Sequence, residues 1–104
     1  MFARVSTYEL EQGRASEALE AFEPAIESIR GLDGFVDGFF LVERDGGQAV
    51  TITVWDSLDA MERSRVAATK ARSEAAQGTN ATVTSSCEYE VGLHVGSALA
   101  GRPD

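Results

Sequence analysis

Hydrophobic and polar residues alternate with a period of two in several stretches of this chain, the pattern of half-buried β-strands. The first predicted strand is residues 2–8 and the last is residues 82–95. Two further apolar runs flank Arg44-Asp45-Gly46-Gly47, whose glycines suit a tight turn. Residues 34–57 are therefore predicted to form a β-hairpin whose second strand ends at Trp55.

Two other stretches have apolar residues spaced at three and four, which indicates amphipathic helices. The first is predicted over residues 14–30, with a kink near Glu20 caused by Pro24 and a left-handed C-cap at Gly31. The second is predicted over about residues 58–75, with Ser57 as its N-cap. Its inner face is rich in alanine, so the gap between this helix and the sheet is a place where a cavity can form.

The predicted order of strand, helix, strand, strand, helix, strand favours an α+β fold. It is a ferredoxin-like βαββαβ subunit, a four-stranded antiparallel sheet with two helices on one face. A single domain is expected over residues 1–95, with a C-terminal tail at 96–104. In the hairpin both sets of alternating positions are apolar, so the face of the sheet without helices also needs cover. A second copy of the chain is the expected cover, which predicts a homodimer.

Charge and cysteine content exclude several kinds of partner. Nine Lys and Arg against seventeen Asp and Glu give a formal net charge of −8, which repels nucleic acid and anionic membrane surfaces. The single cysteine, Cys87, allows neither an intrachain disulfide nor a cysteine zinc site. The first residues lack a basic segment followed by an apolar run, and no stretch is long and apolar enough for a membrane span. We expect a cytoplasmic protein.

The junction from Val50 to Ser64, in which a strand ends at Trp55 and a helix follows, is the most specific part of the sequence. Together with Gly34-Phe35 after a glycine-ended helix, it resembles the antibiotic biosynthesis monooxygenase family. The resemblance extends from Phe2 to Val95 and implies a dimeric α+β barrel of ferredoxin-like subunits. Members of that family oxidise polyketide aromatics with O2 and no cofactor, degrade haem or handle quinols, and many have no established activity.

The functional residues of the family match this chain only in part. Its polyketide oxidases carry an Asn four residues before the strand-end Trp and a Tyr six residues after it, where this chain has Thr51 and Met61. Its haem degraders carry a first-strand Asn, a second Trp and a His ligand, and the approximate equivalents here are Ser6, Ser64 and Glu74. The departures weaken the transfer of either chemistry and argue most strongly against haem.

Candidate site residues follow from the resemblance and from the pattern. Trp55 has two compatible interpretations, a plug between sheet and helix and a wall of a pocket for an aromatic molecule. Phe22 is most simply a core residue, although it could also line a cavity. The predicted substrate-binding residues are Trp55, Thr51, Met61, Phe22 and Ser6. No cluster of positive charge is evident that would seat phosphates or several carboxylates.

Other reactive residues favour structural interpretations. His94, the only histidine, is expected at the surface or at a dimer edge, since one histidine cannot form a clustered metal site. Glu88 and Glu90 are expected on a solvated strand face, and Cys87 as a buried, inert thiol. No catalytic residue is identified and no bound cofactor or metal is expected.

Two functions remain open. One is a cofactor-independent monooxygenase that uses O2 on a small hydrophobic aromatic molecule such as a phenol, quinol or anthrone. The other is a non-catalytic, small-molecule-binding or stress-associated dimer of the same fold. Polar groups converging on the pocket would distinguish them, because function resides in the site rather than in the fold.

Overall fold

Four antiparallel strands form one sheet in the order β2-β3-β1-β4. The computed structural model describes residues 1–45 and 47–96 of the chain. Its elements are β1 (Phe2–Glu9), α1 (Ala15–Arg30), β2 (Phe35–Val42), β3 (Gln48–Trp55), α2 (Leu58–Arg63), α3 (Arg65–Thr79) and β4 (Thr82–Glu90). The predicted α+β, ferredoxin-like arrangement is confirmed.

Element boundaries differ from the predictions in the second half of the chain. The predicted second helix is divided at Ser64 into α2 and α3, and α3 continues to Thr79. The last strand ends at Glu90 rather than at residue 95, because β1, its partner, runs out at Phe2, which pairs with Glu90. Gly46 of the predicted hairpin turn and residues 97–104 of the predicted tail lie outside the described residues.

One glycine is required where the chain enters the hairpin. Gly31, the predicted left-handed cap of α1, has φ −84° and an ordinary helical conformation, so that prediction is wrong. The left-handed residue is Gly34, with φ +84°. A Cβ atom on Gly34 would lie 2.3 Å from the Cβ of Ala60, a distance that real side chains do not reach. The close approach of β2 to α2 therefore depends on glycine here.

The two faces of the sheet differ in cover. Alternate residues of β1 starting at Arg4 point towards the helices and are buried, as Arg4, Ser6 and Tyr8 show with exposures of 5%, 1% and 1%. The residues between them point to the other face, which we call the open face. From the register, the open face includes Ala3, Val5 and Thr7 of β1, Phe39 and Leu41 of β2, Val50, Ile52 and Val54 of β3, and Ser85, Cys87 and Tyr89 of β4.

The core between helices and sheet has two apolar clusters. The first contains Tyr8, Leu10, Ala18, Phe22, Ala49, Ala75 and Ala76. The second contains Ile29, Trp55, Ala60 and Met61. Phe22 and Ile29 lie about two turns apart on α1, so the clusters pack at different points along this helix. The space between them is where a cavity remains.

Candidate functional site

A cavity of about 40 Å³ lies between the helix-covered face of the sheet and helices α1 and α3. At roughly 10–15 Å³ for each water molecule, this space would hold about three waters, and the cavity is partly open to solvent. Its walls are mainly apolar side chains of the helices and its floor is mainly polar side chains of the strands. The lining residues are Arg4, Ser6, Tyr8, Phe22, Ala25, Ile26, Ile29, Thr51, Thr53, Ala68, Ala71 and Arg72.

A hydrogen-bonded pair of hydroxyl groups forms part of the floor. The Tyr8 hydroxyl and Thr51 Oγ1 are 2.9 Å apart, on the neighbouring strands β1 and β3. The Tyr8 ring packs edge-on against Phe22, with centroids 4.9 Å apart. Burial raises the pKa of Tyr8 above its usual value of 10.0, although the hydrogen bond from Thr51 and the charge of Arg72 oppose the change. At neutral pH Tyr8 is therefore an uncharged phenol that can donate a proton in a hydrogen bond.

Arg72 of α3 brings a positive charge to the same cavity. Its guanidinium donates to Ser6 Oγ at 3.4 Å and to Thr69 Oγ1 at 3.3 Å, both long contacts to neutral groups. Within residues 1–45 and 47–96, no carboxylate forms a salt bridge with it. A half-buried guanidinium with unused N–H donors is suited to bind an anionic oxygen.

Arg4 of β1 is, in contrast, fully engaged. Its guanidinium donates to the Glu88 carboxylate at 2.9 Å, to the Met61 carbonyl at 2.8 Å and to Ser64 Oγ at 3.1 Å. Arg65 of α3 binds the same carboxylate at 2.6 Å. These contacts join β1, β4 and the α2–α3 junction at one end of the cavity, so Arg4 supports the site but has few donors left for a ligand.

The break between α2 and α3 follows from these contacts. The Met61 carbonyl accepts hydrogen bonds from the backbone N–H of Ser64, from Ser64 Oγ and from Arg4. With three donors on this oxygen, the N–H of Arg65 does not find its regular helical acceptor free, which ends α2 at Arg63. The Arg4 side chain of β1 thus determines where α3 begins. The positions of Ala68, Ala71 and Arg72 in the cavity follow from that starting point.

Three of the five predicted binding residues line this cavity, namely Thr51, Phe22 and Ser6. Trp55 and Met61 do not line it. Trp55 is fully buried in the second apolar cluster, where its indole N–H donates to Thr53 Oγ1 at 3.0 Å and its ring meets Phe35 edge-on. Met61 is 2% exposed in the same cluster. Both side chains form the boundary behind the cavity rather than its surface.

Sequence reasoning missed the charged and phenolic groups of the site. Tyr8, Arg4 and Arg72 line the cavity although no cluster of positive charge was expected there. The alternation in β1 could have indicated these groups, because Arg4, Ser6 and Tyr8 share one face with Phe2. Polar side chains on a strand face that is covered by helices need hydrogen-bond partners there.

The remaining reactive residues lie away from the cavity. Cys87 was predicted to be buried but is exposed, because its apolar set of positions faces the open face, paired with Val5. Glu88 was predicted on a solvated face but points towards the helices, and its side chain is only 25% exposed. His94 follows β4 and is exposed, as predicted, and Glu90 is exposed as well.

The residues of the cavity do not fit a haem or a catalytic metal. The described lining contains no His, Cys or Met side chain that could ligate iron, its one phenol, Tyr8, is hydrogen-bonded to Thr51, and about 40 Å³ is far too small for a porphyrin. Within the described ranges, no three His, Cys, Asp or Glu side chains are grouped closely enough to hold a metal ion. Glu74, the approximate equivalent of the haem-degrader ligand, is exposed on α3.

Comparison with known proteins gives a family match over most of the chain. Residues 1–77 match the model of the antibiotic biosynthesis monooxygenase family. An uncharacterized protein of Mycobacterium tuberculosis, Rv2557, is 31% identical over 81 residues, which cover 77% of this chain and 36% of that protein. The chain thus spans about a third of the length of the curated relatives it matches.

Solved structures share the fold at lower identity. SnoaB, a cofactor-independent oxygenase from Streptomyces nogalater, superposes with a TM-score of 0.73 at 20% identity, covering 90% of this chain and 95% of SnoaB. The haem degrader MhuD from Mycobacterium tuberculosis gives a TM-score of 0.68 at 21% identity, covering 92% of this chain and 100% of MhuD.

In the part of the chain that is described, no helix is long and apolar enough to cross a membrane.

Proposed function

The chain belongs to the antibiotic biosynthesis monooxygenase family, and we propose on that footing that it oxidises a small hydrophobic aromatic molecule with O2. The observation that carries the proposal is the cavity between sheet and helices, in which apolar walls meet a floor formed by Tyr8, Thr51, Ser6 and Arg72. Apolar walls with a few converging polar groups are the usual make-up of a site for an organic ligand.

The volume of the cavity favours the smallest of the candidate substrates. A cavity of about 40 Å³ has no room for a tricyclic anthrone without outward movement of α3. A single-ring phenol or quinol needs a smaller adjustment of the same helix. We therefore place single-ring phenols first among the substrates to be tested, with quinols and anthrones after them.

The proposed reaction balances with O2 as the only co-reactant. A phenol with a free para position loses its O–H and para C–H hydrogens, and one oxygen atom of O2 bonds to the para carbon. The product is the quinone, and the second oxygen atom leaves with both hydrogens as water. O2 is reduced while the ring is oxidised, so the substrate supplies all the electrons. The protein orients the ring, excludes water and favours loss of the phenolic proton.

We propose that the active unit is a homodimer joined through the open face. The sheet of four strands, each eight or nine residues long, offers about 19 by 26 Å, and its exposed apolar side chains include Phe39, Leu41 and Tyr89 at 37%, 48% and 54% exposure. The projected area is about 500 Å². The accessible surface of the side chains is larger than this projection, which brings it towards the roughly 800 Å² that each partner contributes to a stable interface. A second copy presents the same apolar face, so each copy covers the other.

A cytoplasmic location and the absence of nucleic-acid and membrane partners stay predictions. The expected absence of nucleic-acid and membrane partners rests on the net charge of −8, which disfavours binding to phosphate backbones and to anionic lipid surfaces. The proposed partners are thus a small hydrophobic aromatic molecule and a second copy of the chain.

Oxygen consumption tests the function. Purified protein, treated with a chelator and given no flavin or nicotinamide, should consume O2 with at least one member of a panel of single-ring phenols, quinols and anthrones. Thr51→Val removes the partner of Tyr8 at nearly constant volume and should lower kcat/KM about tenfold. Thr82→Val, at the exposed start of β4, is the matched control and should leave the rate unchanged.

The alternative function is a non-catalytic binding protein of the same fold. The small volume of the cavity favours it over oxidation of a large polycyclic substrate. Saturable binding of a panel member without O2 consumption would select this alternative. Absence of both binding and turnover with folded protein would contradict either function for this cavity.

A further inference from the structure

We propose that the cavity takes its aromatic ligand as an oxyanion, held between the Tyr8 hydroxyl and the Arg72 guanidinium. The inference rests on the proposed function only in placing the ligand in this cavity. It assigns the ligand class as a phenol acidic enough to bind in its ionised form, and it assigns Tyr8 and Arg72 as the residues that determine this specificity.

Arg72 has N–H donors that no strong acceptor uses. A guanidinium carries five N–H donors, and in the described part of the chain Arg72 makes only long bonds to Ser6 and Thr69, at 3.4 and 3.3 Å. Acidic residues outnumber basic ones in this protein, yet no carboxylate within the described residues neutralises this guanidinium. A charge held half-buried beside an apolar cavity gains most from an anion that enters the cavity.

Tyr8 is 1% exposed and lies on the same cavity floor. Burial keeps its phenol protonated by raising its pKa. Its oxygen can accept the Thr51 proton across the 2.9 Å hydrogen bond and donate its own proton to a ligand oxygen. The lowering of the pKa of Tyr8 by the charge of Arg72 shows that the two groups share one electrostatic environment.

The walls of the cavity restrict the shape of the ligand. Phe22, Ile26 and Ile29 of α1 face Ala68 and Ala71 of α3 across the cavity. These walls offer no hydrogen bonds, so a ligand must place its anionic oxygen at the floor and a flat ring between the walls, with any further polar group at the side of the cavity that is open to solvent. Because a cavity of about 150 Å³ holds one benzene ring, a volume of about 40 Å³ admits a single ring only with some outward movement of α3, and a larger body needs more. A phenolic oxygen is the acidic atom that such a ring carries in the proposed substrates.

This arrangement predicts that the protein lowers the pKa of a bound phenol. The positive charge stabilises the ionised form, and the displaced proton goes to bulk water. The suitable probe is 4-nitrophenol, whose anion is yellow and whose neutral form is not. At a pH about one unit below the probe's own pKa, added protein should increase the absorbance of the anion until the sites are saturated.

Substitutions test whether Arg72 and Tyr8 bind the anion directly or affect binding only through the fold or the net charge. Arg72→Gln should weaken binding of the anion at least tenfold, Arg72→Lys should retain part of it, and Tyr8→Phe should weaken it several-fold while keeping the ring against Phe22. Arg63→Gln is the matched control, because Arg63 is an exposed arginine of α2 that pairs with Asp33 and Asp59 outside the cavity. It removes the same charge and should leave binding unchanged.

A second probe makes the inference falsifiable without reference to turnover. 4-Nitroanisole has the same ring but cannot ionise, so its binding, followed by calorimetry, should not respond to Arg72→Gln. Equal losses for both probes would show a structural role for Arg72 and overturn the inference, as would binding of 4-nitrophenol in its neutral form or no binding of either probe. Anion binding without O2 consumption by any panel substrate would contradict the oxygenase function alone. O2 consumption without preference for the anion would contradict this inference alone.

Discussion

The guanidinium of Arg4 on β1 lies 2.9 Å from the carboxylate of Glu88 on β4, and the side chain of Arg4 is only 6% exposed. Arg65 forms a second salt bridge with the same carboxylate, at 2.6 Å. The hydrogen bond from Arg65, followed by the contacts from Arg4, lowers the pKa of Glu88 from 4.5 to about 2 against the opposing effect of burial. Glu88 is thus the group that balances the buried charge of Arg4 at the end of the cavity.

The first prediction concerns stability as a function of pH. A carboxyl group whose pKa is lowered in the folded protein contributes stability above its unfolded pKa, and loses this contribution as the pH falls through the folded pKa. The Glu88 contribution should therefore be complete above about pH 4.5 and disappear towards pH 2. Glu88→Gln should lower the free energy of unfolding by about 1–3 kcal/mol at pH 7, measured by urea denaturation.

The same experiment has an internal check. The difference between wild type and Glu88→Gln should shrink as the pH falls from about 4.5 towards 2, since protonation removes the wild-type advantage. Glu90→Gln, two positions along β4 and exposed, should change the unfolding free energy little at any pH. A pH-independent difference for Glu88→Gln would mean that its cost arises from packing instead of charge.

The second prediction isolates the close contact at Gly34. Gly34 and Gly13 both have φ +84°, but a Cβ on Gly13 would meet nothing within 4 Å. Gly13→Ala should therefore lower the free energy of unfolding only by the cost of placing alanine in the left-handed conformation, about 1 kcal/mol. Gly34→Ala adds a clash with Ala60 and should cost about 2–3 kcal/mol more. Equal losses of unfolding free energy in the two variants would show that β2 and α2 can separate without cost.

The fold was predictable because the apolar periods, the turn glycines and the Trp55 junction all indicate the same arrangement. The site was less predictable, since it depends on which set of alternating residues faces the helices. In β4 the apolar set that contains Cys87 and Tyr89 faces the open face, whereas Glu88 faces inward to meet Arg4. The salt bridges of Glu88 on β4 with Arg4 on β1 and Arg65 on α3 join residues that are far apart in the chain. No local pattern in the sequence therefore indicates them.

The break at Ser64 escaped prediction for a related reason. The stretch from Leu58 to Ala75 contains no proline and is predicted as one helix. The interruption arises from Arg4, more than fifty residues earlier, which binds the Met61 carbonyl and Ser64 Oγ. Tertiary contacts override helix propensity at this position, and the position of Arg72 in the cavity depends on them.

The third prediction concerns the proposed dimer. Ile52 lies near the centre of the open face, on β3 between its partners Val5 and Phe39. Ile52→Asp would bury an unpaired carboxylate in the interface and should weaken dimerisation at least tenfold, about 1.4 kcal/mol. Val66→Asp, at an α3 position that is 83% exposed, should leave the mass of the particle unchanged. Light scattering that shows a wild-type monomer at micromolar concentration would refute the dimer.

The last prediction uses the cavity volume to separate ligand binding from stability. Ala71 of α3 lines the cavity and packs against the second apolar cluster. Ala71→Leu places a larger apolar side chain in space that the wild type leaves empty. It should weaken binding of 4-nitrophenol at least tenfold while raising the free energy of unfolding by about 0.5–1 kcal/mol. Ala67→Leu makes the same change on the exposed side of α3 and should affect neither quantity. The two measurements are expected to move in opposite directions because an empty cavity lowers stability but is needed for the ligand. If Ala71→Leu left the affinity for the probe unchanged, the ligand would have to bind elsewhere, and the assignment of this cavity as the site would be wrong.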